Sequence, residues 1–160
     1  MVGAGVSGPA GGAGTVSAQV LNPCALLTVS EIQPLAAKAS VGDGVSSSLQ
    51  AFGSVSCRYT WGVGVNRLKL DVIVNEASRM FPGMSPDQIK QRLLESVRVG
   101  PDEVIPDVGE AAVFKSDSPF YSSATASLKG RILEVNVDGF VARERKDQVI
   151  ALLKSALSRL

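Results

Sequence analysis

Chemistry in this chain can come from three groups of residues: the cysteines Cys24 and Cys57, the carboxylates Asp102, Glu103, Asp107 and Glu110, and the aromatics Tyr59 and Trp61. The cysteines, if joined, close a loop of about 34 residues, worth roughly 4 kcal/mol in the chain-entropy picture before strain is subtracted. They are also readable as two unrelated buried thiols or as a redox pair, although their spacing is far from Cys-x-x-Cys and two ligands are too few for zinc. Clustered carboxylates suit acid–base chemistry or a calcium ion. The competing reading of the 102–110 segment is a solvated turn in which Asp107 caps backbone amides and Gly109 allows a tight reversal. Tyr59 and Trp61 are alternate residues, so a strand puts them on one face. There they either line a pocket for an apolar or sugar-like ligand or pack into the core.

The sequence contains no histidine. That removes the commonest general base, the usual partner of a nucleophilic Ser or Cys, and the commonest metal ligand. The serine runs Ser46–Ser47–Ser48 and Ser122–Ser123 have no base at motif spacing. No catalytic residue, metal site or cofactor is therefore assigned, and the candidate ligand contacts are Tyr59, Trp61, Asp107 and Glu110. Sixteen basic residues against fifteen acidic ones leave a net charge of +1, too weak a field to draw nucleic acid or an anionic membrane. No stretch approaches the roughly 18 uninterrupted apolar residues that cross a bilayer as a helix.

The elements that must position these residues follow from the hydrophobic pattern. Residues 1–21 are a glycine-, alanine- and serine-rich tract with no charge and no period, read as a flexible tail or linker at the start of a mature chain. Gly3, Gly5 and Gly8 match a dinucleotide fingerprint by accident, since only two residues precede them and the turn needs a strand. Residues 22–160 are read as a single domain, because 160 residues at 45% apolar composition fit one core. Thr28 and Glu31 form a capping box that starts a first helix, and Ser85, Pro86 and Gln88 start a second. Val41 to Ser48 reads as a loop. Ser56–Val63 and Asn66–Glu76 read as a hairpin, and short strands are expected near Ala111–Lys115, Ala124–Lys129 and Arg131–Val137, the last two around Gly130. A final helix runs from about Arg143 to Arg159, beginning in a mixed-sign charge run that suits a solvated face. Both later helices are expected to dock on the inner face of the sheet. The prediction is an α+β fold with a mainly antiparallel sheet of about five strands and three helices, in the order αββαβββα. A parallel, doubly wound sheet is the weaker alternative, because short turns join the consecutive strands.

Three segments carry a likeness. Asn22-Pro23-Cys24-Ala25-Leu26-Leu27-Thr28-Val29-Ser30-Glu31 resembles the (Asp/Asn)-Pro-Cys-x-Leu-Leu-Thr-x-x-Glu opening of a group of bacterial envelope lipoproteins and secreted proteins of unknown function. Cys57-Arg58-Tyr59-Thr60-Trp61 is similar to their Cys-x-(Tyr/Trp) segment. The run from Val104 to Phe114 is similar to their Val-x-Gly-Leu-Gly-Asp-Ala-Ala-(Tyr/Phe) stretch. The resemblance implies a Cys24–Cys57 disulfide, export to the periplasm or outer surface, and a lipid anchor upstream of the given chain; it implies no reaction. The expected function is a non-catalytic exported envelope domain that binds a protein partner or a small ligand. The alternatives are a carboxylate-dependent enzyme acting on cell-wall material, with Asp107 or Glu110 as its acid or base, and a structural or inhibitory subunit of an envelope assembly.

Overall fold

The computed structural model describes residues 21–49, 53–64, 67–98, 102–139 and 142–160. The tail reading for residues 1–20 lies outside them. Leu21, the first described residue, packs against the core.

Seven strands form one antiparallel sheet: β1 (Val45–Leu49), β2 (Ser54–Trp61), β3 (Leu68–Glu76), β4 (Glu103–Val104), β5 (Ala111–Ser118), β6 (Tyr121–Leu128) and β7 (Arg131–Asp138). Their spatial order is β1-β2-β3-β7-β6-β5-β4. Two meanders, β1–β3 and β4–β7, meet where β3 pairs with β7, from Lys69 opposite Asp138 to Glu76 opposite Arg131. Among the described residues four α-helices accompany them: α1 (Val29–Ala36), α2 (Ala77–Met80), α3 (Pro86–Glu95) and α4 (Lys146–Leu157).

This corrects the expected five strands and three helices. The two additional strands are the sheet's edges. β1 reads Val-Ser-Ser-Ser-Leu and is exposed along its whole length, so no buried face imposes alternation on it. β4 is only two residues long. Both fall in segments whose turn-forming composition marks a loop. The extra helix, α2, is a single turn that follows β3 directly. The hairpins are as expected. Leu128 pairs with Arg131 across a two-residue turn in which Lys129 (φ 49°) and Gly130 (φ 74°) both adopt the positive φ of a tight hairpin.

The first face of the sheet carries the main core. Cys57, Tyr59 and Trp61 on β2, Leu70, Val72 and Val74 on β3, and Leu133, Val135 and Val137 on β7 all point to it and are buried. Ala124 and Ala126 on β6 leave room for α4, which packs on β6 and β7 with Val149, Leu152, Leu153 and Ala156 buried. α1 lies beside α4, contributing Ile32 and Leu35. Both expected capping boxes are formed, at Thr28 with Glu31 and at Ser85 with Gln88.

The placement of α3 departs from the expectation that both later helices share one face. Ile89 of α3 packs instead with Ala77 and with Ile132, and Ile132 belongs to the opposite face of β7 from Leu133. The reason is the narrowness of its stripe. Among its apolar residues only Ile89 is buried, while Leu93 and Leu94 are half-buried. That stripe suits partial cover of a polar sheet face and not a place in the main core.

Candidate functional site

The four residues first read as ligand contacts occupy two separate places and do not converge. Tyr59 and Trp61 lie on the core face of β2 and are 2% and 4% exposed. The Tyr59 hydroxyl donates to the Leu27 carbonyl at 2.8 Å and the Cys24 carbonyl at 3.2 Å, so this phenol holds the N-terminal segment onto the sheet. Burial, with Glu31 nearby, raises its pKa above the ordinary phenol value. Asp107 and Glu110 lie between β4 and β5, toward the other edge of the sheet. Asp107 is exposed in the turn at φ 57°, and Glu110 Oε1 accepts from the Lys129 amide at 3.2 Å. Their neighbour Glu103 pairs with Lys146. Among the described residues no three acidic, cysteine or histidine side chains converge as metal ligands. The turn is anchored by Ile105 and Val108, both 5% exposed, and by the Ile105 and Glu110 amides, which donate to the Ala112 and Ser127 carbonyls; no described amide donates to the Asp107 carboxylate.

The cysteines are joined. Cys24 and Cys57 form a disulfide across a Cα–Cα distance of 5.0 Å. It fastens the 3₁₀ turn at Pro23–Ala25, where Asn22 Oδ1 accepts from the Cys24 amide, to the middle of β2. Glu31 fastens the same region to the end of α4. Its carboxylate accepts from Arg159 Nη1 and Nη2 at 2.9 and 2.8 Å, from the Thr28 amide at 2.8 Å, and from the Ser155 hydroxyl. The Arg159 hydrogen bonds, helped by those of Ser155 and Thr28 and opposed by burial, hold its pKa well below the ordinary carboxylate range.

The second face of the sheet is where polar side chains gather. The register aligns them in rows across the strands. Arg58, Asp71, Asn136, Ser123 and Lys115 stand side by side on β2, β3, β7, β6 and β5, and the next row runs Ser56, Ile73, Glu134, Thr125 and Val113. Arg58 and Asp71 form a two-pronged pair at 2.6 and 2.9 Å, and Lys69 pairs with Asp138 at 2.8 Å. Over β1–β3 this face is an open groove of about 580 Å³. Over β5–β7 it is partly covered by α2 and α3, which flank a half-open cavity of about 300 Å³.

That cavity has a wet floor and an apolar rim. Ser123 and Thr125 are 3% and 8% exposed and line it, and neither hydroxyl hydrogen-bonds another described residue. Glu134 lines it beside them and accepts from the Tyr121 hydroxyl at 3.5 Å. Lys115 from β5 and Arg92 from α3 bring cationic ends, and neither joins an ion pair among the described residues. Met80, Phe81, Leu93 and Ile132 supply the apolar wall. Their oxygens are not sealed from solvent, so water can satisfy them and a ligand that replaces it must offer the same hydrogen bonds. These groups therefore suit the capture of a small molecule with one polar end. From the sequence Ser123 stands out only as a nucleophile without a base and the others do not stand out, yet a signal is present: β6 alternates Tyr121, Ser123, Thr125 and Ser127 on one face, as β7 does with Glu134, Asn136 and Asp138.

Comparison with protein-family models, with curated proteins and with solved structures finds no match for this chain, so its function is argued from the geometry above.

Proposed function

We propose that this chain is an exported, non-catalytic envelope domain, similar to bacterial lipoproteins, that binds a small ligand between the α2–α3 roof and the polar face of its sheet. The observation that carries the binding reading is the roofed cavity floored by Ser123 and Thr125, whose hydroxyls no described residue satisfies. Concave sites with an apolar wall and a few convergent polar groups are where small molecules bind, and about 300 Å³ is at the small end of their range. Export is supported by the Cys24–Cys57 disulfide, which persists in oxidising compartments, and by the likeness of the Asn22–Glu31 and Cys57–Trp61 segments to envelope proteins. No helix among the described residues is long and apolar enough to cross a membrane.

An enzyme acting through paired carboxylates needs two of them facing one substrate. Among the described residues lining the cavity, Glu134 is the sole carboxylate, so binding is the better reading.

The test is a thermal-shift screen of small amphipathic molecules on the wild-type protein and on Leu93→Trp and Ser123→Trp, which fill the cavity from the roof and from the floor. Hits should raise the wild-type midpoint and leave both folded variants unmoved. Hits that stabilise a folded, filled variant as well as the wild type would place binding elsewhere.

A further inference from the structure

We infer that the ligand of this cavity is a single-tailed carboxylate, its headgroup held by Arg92, Lys115 and the hydroxyls of Ser123 and Thr125, and its tail laid against Phe81 and Ile132. The inference rests on the binding role proposed above and specifies its chemistry.

The cavity's charge selects the headgroup. Two cationic side chains face a single carboxylate, that of Glu134, which is already engaged by the Tyr121 hydroxyl. The lining therefore keeps one excess positive charge, which a monoanion neutralises; a dianion overcompensates and also lies near Glu134. Arg92 and Lys115 belong to different elements, one on the roof and one on the floor, so an anion between them would close the roof onto the sheet. Ser123 and Thr125 donate from the sheet side, and hydrogen bonds between neutral donors and a charged acceptor are stronger than those between neutral groups. Both residues are largely buried while their hydroxyl oxygens stay open to the cavity, so a headgroup can replace the water that meets them.

The wall selects the rest of the molecule. Phe81 and Leu93 are half-buried on the roof and Ile132 is buried on the floor, and these contribute aliphatic and aromatic surface with no hydrogen-bonding groups. A sugar or another polyol would leave its hydroxyls unpaired against this wall. An aliphatic tail fits it.

Isothermal titration calorimetry with ten-carbon probes separates the possibilities: decanoate, decanol, decyl phosphate and decyltrimethylammonium, each added below its micellar concentration at pH 7 and low salt. Decanoate should bind at least tenfold more tightly than decanol and more tightly than decyl phosphate, with the ammonium probe weakest. Arg92→Gln and Lys115→Gln, which remove partly exposed side chains and should leave the melting midpoint near wild type, should each weaken decanoate about tenfold while changing decanol little. Leu93→Trp should abolish binding of all four.

Equal affinity for decanol and decanoate, or affinity for decanoate that ignores both charge variants, would overturn the carboxylate inference. Tighter binding of decyl phosphate would overturn the choice of a monoanion. In each of those cases, loss of binding in Leu93→Trp leaves the cavity as the ligand site. Failure of every probe to bind, or binding that persists in Leu93→Trp, would remove the binding role itself along with the inference.

Discussion

At the scale of single residues, the side chains that organise this protein act on backbone groups and helix ends. The Tyr59 phenol supplies a donor to two carbonyls of the segment that precedes α1. Tyr59→Phe keeps the ring in the core and removes only that donor, so it should cost about 1–2 kcal/mol by urea unfolding; no measurable cost would mean water replaces the phenol. Thr28→Ala removes the N-cap of α1 and should cost about 1 kcal/mol. Glu31 gives a pH dependence with a definite sign. Its folded-state pKa is depressed, chiefly by Arg159, so its stabilising effect is fully present above the unfolded carboxylate value of about 4.3 and is lost as pH falls below it toward the folded value. The melting midpoint of the wild type should therefore drop on acidification below about pH 5. Glu31→Gln should melt lower at pH 7 and show a shallower drop, and parallel pH curves would contradict this role. Much at this scale was legible in the sequence, because caps depend on residues three positions apart. The second functions of Tyr59 and Glu31 were not, since their partners Leu27, Ser155 and Arg159 are brought near only by the fold.

Among the elements, legibility followed burial. β3 and β7, sandwiched in the centre of the sheet, announce themselves through alternating Leu and Val, whereas β1 and β4 have no buried face to pattern and read as loops. The direction in which α3 docks was illegible for a related reason. A helix with one fully buried residue carries too little information to say which sheet face it covers. The disulfide is the element-level fastener, holding the turn before α1 to β2. The double substitution Cys24→Ser with Cys57→Ser should cost about 2–5 kcal/mol by denaturant unfolding, and a smaller loss would show that Tyr59 and Glu31 suffice to dock the segment. Gly44, just before β1, illustrates the close packing around that bridge: an added Cβ would overlap Cys57 Sγ and come within 2.9 Å of the Tyr59 ring. Gly44→Ala should therefore cost about 1–3 kcal/mol through strain, and a neutral effect would mean that β1 can move away from the bridge.

On the scale of the whole molecule, the two faces of the sheet have different tasks. One is sealed by α1 and α4 and closed by the disulfide. The other keeps rows of polar side chains, bare of helices over β1–β3 and partly covered by α2 and α3 over β5–β7, where the Ser123 and Thr125 hydroxyls line the cavity. The candidate site lay hidden in the sequence because its residues come from α2, α3, β5, β6 and β7, and only the register of β5, β6 and β7 puts Lys115, Ser123, Thr125 and Glu134 together. The aromatics that drew attention as ligand contacts belong instead to the sealed face. The central claim is that the roofed face is where a small molecule binds. Amide chemical-shift mapping by NMR, with decanoate titrated into the isotope-labelled protein, tests it most directly. Shifts should concentrate on α2, α3 and the strand residues around Lys115, Ser123, Thr125 and Glu134, with Tyr59, Trp61 and Val149 undisturbed. Shifts confined to the sealed face, to the groove between α1 and α4 lined by Pro34, Leu35 and Ala151, or to the Asp107–Glu110 turn, or no saturable shifts at all, would contradict it.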